Sequence, residues 1–317
     1  MESMAEPTPA DLKAAHERIG PHVHRTPVMT CSAIDALCGA ELFFKCELFQ
    51  KSGAFKIRGA TNAVLQLSDE EAGRGVATHS SGNHGQALAL AAKRRSIPAK
   101  IVMPHNTARI KKDAAAGYGA KVIECEPTLE DREQTLEQVV AGTGATVIHP
   151  YNDHRIIAGQ STVALELLEQ VRDLDIVIAP IGGGGLLSGT CLAAAARSPN
   201  TAVLAGEPKN ADDAHRSLQA GRIIPVDQPD TIADGLRTSL GDLTFPIIQK
   251  HVRQIVTVTE EAIADAMRLL WERAKLPVEP SGAVALAAVQ TQPKLFEGKR
   301  VGVILSGGNA DLDHLPW

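Results

Sequence analysis

The 317-residue chain has no uninterrupted apolar stretch long enough to span a bilayer. Residues 1–20 lack the apolar core of a signal peptide and carry Glu2, Glu6, Asp11 and Glu17, so no secretory leader is expected. Five cysteines without paired spacing argue against a disulfide framework. Acidic residues number 37 against 32 basic ones, a net charge of −5, which leaves no global basic field for nucleic acid. Low-complexity linkers, charge blocks and internal repeats are also missing. These exclusions point to a reduced, cytoplasmic enzyme acting on a small molecule, with neither a membrane nor a nucleic acid as partner.

What is present is an ordinary globular composition, 44% apolar and 22% charged, long enough for two domains or one large one. Short β-branched runs alternate with alanine-rich amphipathic runs. Strands are predicted at 75–80, 100–104, 121–125, 146–150, 175–181, 203–207, 254–258 and 301–306. Helical patterns cover 84–93, 128–140, 160–171 and 260–274. In the last, Ile263, Ala266, Met267, Leu270 and Trp271 share one face, Thr259 is the expected N-cap, and Glu260 and Glu261 suit the positive end of the dipole. Continuous apolar strands alternating with helices predict an α/β fold of mostly parallel sheets covered on both faces. Four of the strands fall within 75–150, which is expected to close as a smaller, substrate-binding domain. Residues 1–74 and 151–317 then form a discontinuous larger domain, with the active site in the cleft between them.

Four segments carry candidate chemistry. In Ser52-Gly53-Ala54-Phe55-Lys56-Ile57-Arg58-Gly59-Ala60, Lys56 follows an apolar neighbour and enters an apparent helix. A lone lysine is ordinarily a solvated surface group. Burial would lower its pKa and make it the nucleophile that Schiff-base chemistry requires. Ser80-Ser81-Gly82-Asn83-His84-Gly85 joins a strand to a helix. It reads either as a capped polar turn or as a carboxylate pocket built from hydroxyls, an amide and free backbone N–H groups. His84 by itself fits a structural role as readily as a catalytic one.

Gly182, Gly183, Gly184 and Gly185 follow a strand and lead into a helix at Leu186. Four glycines are entropically costly in a fixed loop, and their place at a strand end favours phosphate binding over simple flexibility. The sequence there is neither Gly-x-Gly-x-x-Gly nor a Walker loop. Finally, Ser306 ends an apolar strand and is followed by Gly307-Gly308-Asn309, at the strand end where ligands sit in open α/β sheets.

In combination and order these segments resemble the fold-type II pyridoxal-phosphate (PLP) enzymes, the serine racemase and serine/threonine dehydratase branch, over nearly the whole chain. The resemblance implies a tryptophan synthase β-like fold, with Lys56 as the Schiff-base lysine. It further implies Phe55 beside the cofactor ring, Asn83 on the phenolic oxygen, Gly182–Gly185 with Leu186 on the phosphate, Gly235 near the ring and Ser306 at the pyridine nitrogen. A neutral serine there stabilises a carbanion less than a carboxylate does, which suits prompt β-elimination. The loop Ser80, Ser81, Gly82, Asn83, His84 would bind the substrate carboxylate. Ser81 resembles the racemase serine on the opposite face; binding carboxylate is its alternative role. Glu207, the carbonyl of Ala211 and Asp213 match a divalent-cation site, whose oxygen ligation suits Mg²⁺, Ca²⁺ or Mn²⁺. Gln86, Lys111, Tyr118, Lys275 and Asn309 match positions of an ATP effector site found at the subunit interface of some members. The family implies a homodimer.

The implied activity is racemisation of serine, or elimination of water from serine or threonine to a 2-oxo acid and ammonia. Tyr151 replaces the small amide of the vertebrate racemases and resembles the microbial and plant racemases and the 3-hydroxyaspartate dehydratases. His154 and Arg155 beside it either supply charge for a second substrate carboxylate or face solvent at the domain hinge. A 3-hydroxyaspartate dehydratase is therefore the alternative activity. A β-replacement enzyme or a non-catalytic sensor on the same scaffold ranks below both.

Overall fold

A computed structural model describes residues 6–317, apart from the side chain of Ile110. The strands are β1 (Val28–Met29), β2 (Glu41–Cys46), β3 (Val76–His79), β4 (Ala99–Pro104), β5 (Lys121–Cys125), β6 (Thr146–Val147), β7 (Ile176–Pro180), β8 (Ala202–Pro208), β9 (Val252–Val258) and β10 (Arg300–Leu305). They form a six-stranded sheet in the order β1-β2-β10-β7-β8-β9 and a four-stranded sheet in the order β5-β4-β3-β6. Every pairing is parallel except that of β1 with β2.

Alternation along the strands builds the layers. In β7, Ile176 and Ile178 face a cluster with Val284 and Leu286 of the helix Pro280–Thr291. Val177 and Ala179 face the opposite cluster, with Val163 of the helix His154–Gln170 and Leu187 of the helix Gly185–Arg197. Val76, Ile101 and Met103 of the smaller sheet share a third cluster with Ile57, Ala60 and Ala63 of the helix Lys56–Leu65.

All eight predicted strands are present, and one strand and two helices differ informatively from the expectation. The strand expected to reach Pro150 ends at Val147, because the backbone turns there and the Tyr151 and Asn152 N–H groups bond back to His149 Nδ1. The helix expected from Gln160 starts at His154, where the Asp153 side chain accepts from Arg155 N and caps it. Thr259 caps its helix as expected, by accepting from Ala262 N, but residues Leu270–Ala274 wind as a π-turn. No described helix is long and apolar enough to cross a membrane.

The topology fixes the site. The last strand, β10, inserts between β2 and β7, so three parallel neighbours end side by side. After β2 comes Lys56, after β7 the glycine loop, and after β10 Ser306. Such a crevice beyond the carboxyl ends of the strands is where open α/β sheets bind ligands.

Candidate active site

Backbone bonds pull these strand ends together. Phe55 N donates to Ser306 O (3.0 Å), Gly308 N donates to Gly53 O (2.9 Å), and Ala54 bridges Gly307. Lys56 therefore opens its helix against the end of β10. Its half-buried amine donates to the carbonyl of Pro150 at 2.9 Å and lies 5.2 Å from the centroid of the Phe55 ring. Burial pushes its pKa down to about 8, which makes a neutral, nucleophilic amine accessible near neutral pH.

The glycine loop, at the end of β7, packs against Tyr151, which follows the Pro150 whose carbonyl holds this amine. Its helix makes its first backbone bond from Ser188 N to Gly184 O, and the amides from Gly182 to Leu186 have no acceptor among the described residues. Gly184 has φ +89°, and a Cβ there would meet Ile248 and Thr244 within 2.9 Å. A Cβ on Gly183 would lie 2.3 Å from the Tyr151 ring, and one on Gly185 would lie 2.9 Å from Tyr151 Cβ. Partnerless N–H groups at a helix start, in a loop that admits no side chain, are an anion cradle.

Between the two sheets, Ser80 caps the helix Asn83–Arg95 by accepting from Gly82 N (3.4 Å) and Gly85 N (3.2 Å). Ser81 is half-buried and takes no part in that cap. Asn83 donates to Glu279 Oε1 and accepts from Asn309 Nδ2, both at 2.8 Å, while Asn309 also donates to Ser52 O. Glu279 is buried, and burial together with Asp234 pushes its pKa up to about 7. His84 is buried too. Its Nε2 must carry the proton donated to Ile148 O (3.0 Å), which leaves Nδ1 unprotonated and without a partner. Burial, then the Lys56 charge, lowers its pKa to about 3, and burial, then His79, lowers that of His149 to about 4. Both rings are neutral at physiological pH. Tyr151 packs edge-on to His149 (4.6 Å between centroids), and burial pushes its hydroxyl up to about 12, so it stays protonated.

Residues 19–307 match the family of pyridoxal-phosphate dependent enzymes. The chain belongs to that family. It is 54% identical to a β-hydroxyaspartate dehydratase of Paracoccus denitrificans (strain Pd 1222), across 98% of this chain and 99% of that one. It is 51% identical to a serine racemase of Arabidopsis thaliana, across 99% and 98% of the two chains. The crystal structure of serine racemase from Dictyostelium discoideum superposes with a TM-score of 0.93 at 50% identity, over 97% of this chain and 100% of the other. The fold is thus the fold-type II architecture, and the chain is a PLP-dependent enzyme.

The residues present fit that cofactor: a half-buried amine with a lowered pKa, a cradle of free amides, and Ser306, almost wholly buried, at the end of the strand between them. Leu186 is buried at the cradle, and Gly235 N donates to Ser281 Oγ at 3.0 Å beside it.

Away from this centre, Glu207 Oε1 and Oε2 accept from Ala214 N and His215 N, and burial pushes its pKa up to about 8. Burial pushes Asp213 up to about 7, and its Oδ2 is buried without a partner. Ala211 lies between them in sequence, at the end of a short 3₁₀ turn. Two buried carboxyls with an orphaned oxygen fit a hard cation. Among the described residues no cluster of three or more His, Cys, Asp or Glu side chains is arranged to hold a metal.

His154 and Arg155 are not brought to Lys56. Arg155 is held by both carboxylate oxygens of Asp153 and lines a separate cavity with Arg18 and Asn62. Of the residues matched to the nucleotide site, Lys111 bonds Asp234, Lys275 bonds the Glu272 carbonyl, and Asn309 bonds Ser52 and Asn83. None of these bonds joins two of the five.

Sequence reasoning did not single out Glu279, Thr244 or Arg58. Arg58 is fully buried and bonds Glu47 and Glu166, with Lys45 completing a buried set of two cations and two anions. Its charge within the Lys56 motif is the one local hint that such a partner set exists.

Proposed function

We propose that the protein acts on β-hydroxy amino acids, taking the Cα proton with Lys56 and either eliminating water or reprotonating on the other face. The observation that carries this is the half-buried Lys56 amine, lowered to about 8 and bonded to Pro150 O, next in sequence to the Tyr151 on which the glycine loop with its partnerless amides packs. PLP would be held by Lys56 and the glycine loop and would supply the electron sink that acidifies Cα, with Lys56 set free as an amine when the substrate amine takes its place.

The chain's own groups do the rest. Ser80 holds the start of the helix Asn83–Arg95 so that its free N–H groups, with Ser81 and Asn83, receive the α-carboxylate. Lys56 accepts the Cα proton as a neutral amine. Ser81 returns a proton from the opposite face when the product is the inverted amino acid. When the β-hydroxyl leaves as water, the released enamine hydrolyses to a 2-oxo acid and ammonia. Neutral His84 and His149 place no competing cation beside the amine. Phe55, Gly235 and Ser306 would flank the cofactor ring, and Tyr151 would close the substrate side.

Serine and threonine are the substrates this site fits first, because Arg155 is already neutralised by Asp153 and turned to another cavity. The second reading, a 3-hydroxyaspartate dehydratase, is favoured by the 54% identity to the Paracoccus denitrificans enzyme of that name. The reading extends to a divalent cation at Glu207, Ala211 and Asp213, to ATP as an effector, and to a cytoplasmic homodimer. It also divides the chain into 1–74 with 151–317 and a substrate-binding unit, 75–150, carrying the four-stranded sheet.

The test is a product assay on purified PLP-loaded protein with Mg²⁺, comparing L-serine, L-threonine and the stereoisomers of 3-hydroxyaspartate. Pyruvate or D-serine from L-serine supports the first reading. Dominant oxaloacetate from 3-hydroxyaspartate supports the second, and no product from any of them contradicts both.

A further inference from the structure

Thr244 opens the helix Thr244–His251 and is fully buried beneath the glycine loop. Its hydroxyl lies 2.8 Å from Gly183 O and 3.2 Å from Gly241 O, and it accepts from Gly241 N at 2.9 Å. Its single proton therefore goes to the nearer carbonyl, that of Gly183. A trans peptide is planar, so fixing the direction of the Gly183 carbonyl fixes the N–H of Gly184 in the opposite direction. That N–H then points away from Thr244.

The rest of the loop is held to the same end. Thr244 and Ile248, one turn apart, form the shelf on which Gly184 sits at φ +89°. From the other side the Tyr151 ring covers Gly183. Its neighbour Asn152 clips the loop that leads to Thr244, accepting from Leu243 N at 2.9 Å and donating to Asp242 Oδ1 at 2.5 Å. A glycine run free in solution visits many conformations and loses that freedom on gripping an anion. Here the loss is met on folding, by a hydroxyl below and a ring above.

We propose that Thr244 is a positioning residue for the cofactor phosphate: its hydroxyl sets the Gly183–Gly184 peptide plane and so aims the Gly184 N–H into the anion cradle. This rests on the reading that Gly182–Gly185 hold that phosphate. Without the hydroxyl, the Gly183 carbonyl loses its buried donor, and the peptide is free to rotate toward another one.

The experiment measures dissociation constants for PLP and for pyridoxal, which lacks the phosphate, on wild type, Thr244→Val and Thr244→Ser after resolution and reloading. Valine keeps the shape and removes the donor; serine keeps the donor. The expected result is PLP binding weakened about tenfold in Thr244→Val, with pyridoxal binding unchanged and Thr244→Ser within about twofold of wild type. Thr244→Cys, a weaker donor with the unbranched side chain of serine, is the second variant and should fall between serine and valine. Equal losses for PLP and pyridoxal would assign Thr244 a general structural role and overturn the proposal. An unchanged PLP-to-pyridoxal ratio in Thr244→Val, with wild type strongly preferring PLP, overturns it alone. No preference in wild type itself would remove the phosphate from the glycine loop, and the underlying reading with it.

Discussion

Gly59 and Gly159 meet backbone to backbone: a Cβ on Gly159 would stand 2.6 Å from the Gly59 Cα and 2.8 Å from the Arg58 carbonyl. This is where the helix beginning at Lys56 crosses the helix beginning at His154. The contact thus sets how Lys56 stands relative to the Pro150–Asp153 segment, in which Pro150 O already accepts from Lys56 Nζ. Gly159→Ala must push the helices apart. We predict a loss of about 1–3 kcal/mol in urea denaturation, as for other overpacked sites, together with reduced turnover. An alanine variant of wild-type stability would contradict the tight crossing.

A second anchor of the same helix is Arg58, whose guanidinium bonds Glu47, Glu166, Thr162 and the His24 carbonyl. Arg58→Met leaves two buried carboxylates facing Lys45 alone. The expected cost is about 3–5 kcal/mol, the range for removing one partner of a buried ion pair. Arg58→Lys keeps the charge but not the fork, and should recover only part of it. Denaturation midpoints of the two variants check this order.

The lowered pKa of Lys56 has a direct chemical readout. In cofactor-free protein its amine is protonated below about pH 8 and free above it, whereas an ordinary lysine changes over near 10.5. Labelling by trinitrobenzenesulfonate, followed on the Lys56-containing peptide, should rise with a midpoint near 8. A midpoint near 10.5 would mean that the amine is not desolvated.

Most of the fold was legible because each strand is a short apolar run closed by glycine, proline or a polar turn. Strand β2 escaped because Lys45 and Glu47 interrupt the apolar residues from Leu42 to Phe49 and no turn residue closes the stretch. Its Lys45 is buried only because Glu166 lies opposite, 121 positions later. The candidate site was legible in its motifs, since the Lys56 motif, Ser80–Gly85, Gly182–Gly185 and Ser306 each follow a strand and carry unusual residue types. The supporting groups were not. Glu279 meets Asn83 across 196 positions and Thr244 meets Gly183 across 61, and nothing in a local window links such pairs. His154 and Arg155 show the converse. They adjoin Tyr151 in sequence, but helical geometry turns them away from Lys56.

The pair Glu207 and Asp213 gives a prediction about cations. Millimolar Mg²⁺ should raise the unfolding temperature, through a stabilisation of about 2.7 kcal/mol when the ion is at a hundred times its dissociation constant, and excess chelator should reverse it. Asp213→Asn should abolish the Mg²⁺ response. A response that survives this substitution would place the ion elsewhere.

The central claim is that Lys56 moves the Cα proton. The most direct measurement is solvent exchange at Cα of L-serine in D₂O, followed by proton NMR with wild type, Ser81→Ala and Lys56→Ala, each supplied with PLP. The account predicts loss of the Cα–H signal from residual serine or deuterium in inverted product with wild type. It predicts elimination of L-serine largely retained but inversion lost in Ser81→Ala, and no enzymatic exchange in Lys56→Ala. Exchange in Lys56→Ala at the wild-type rate would show that another group takes the proton, and would contradict the account.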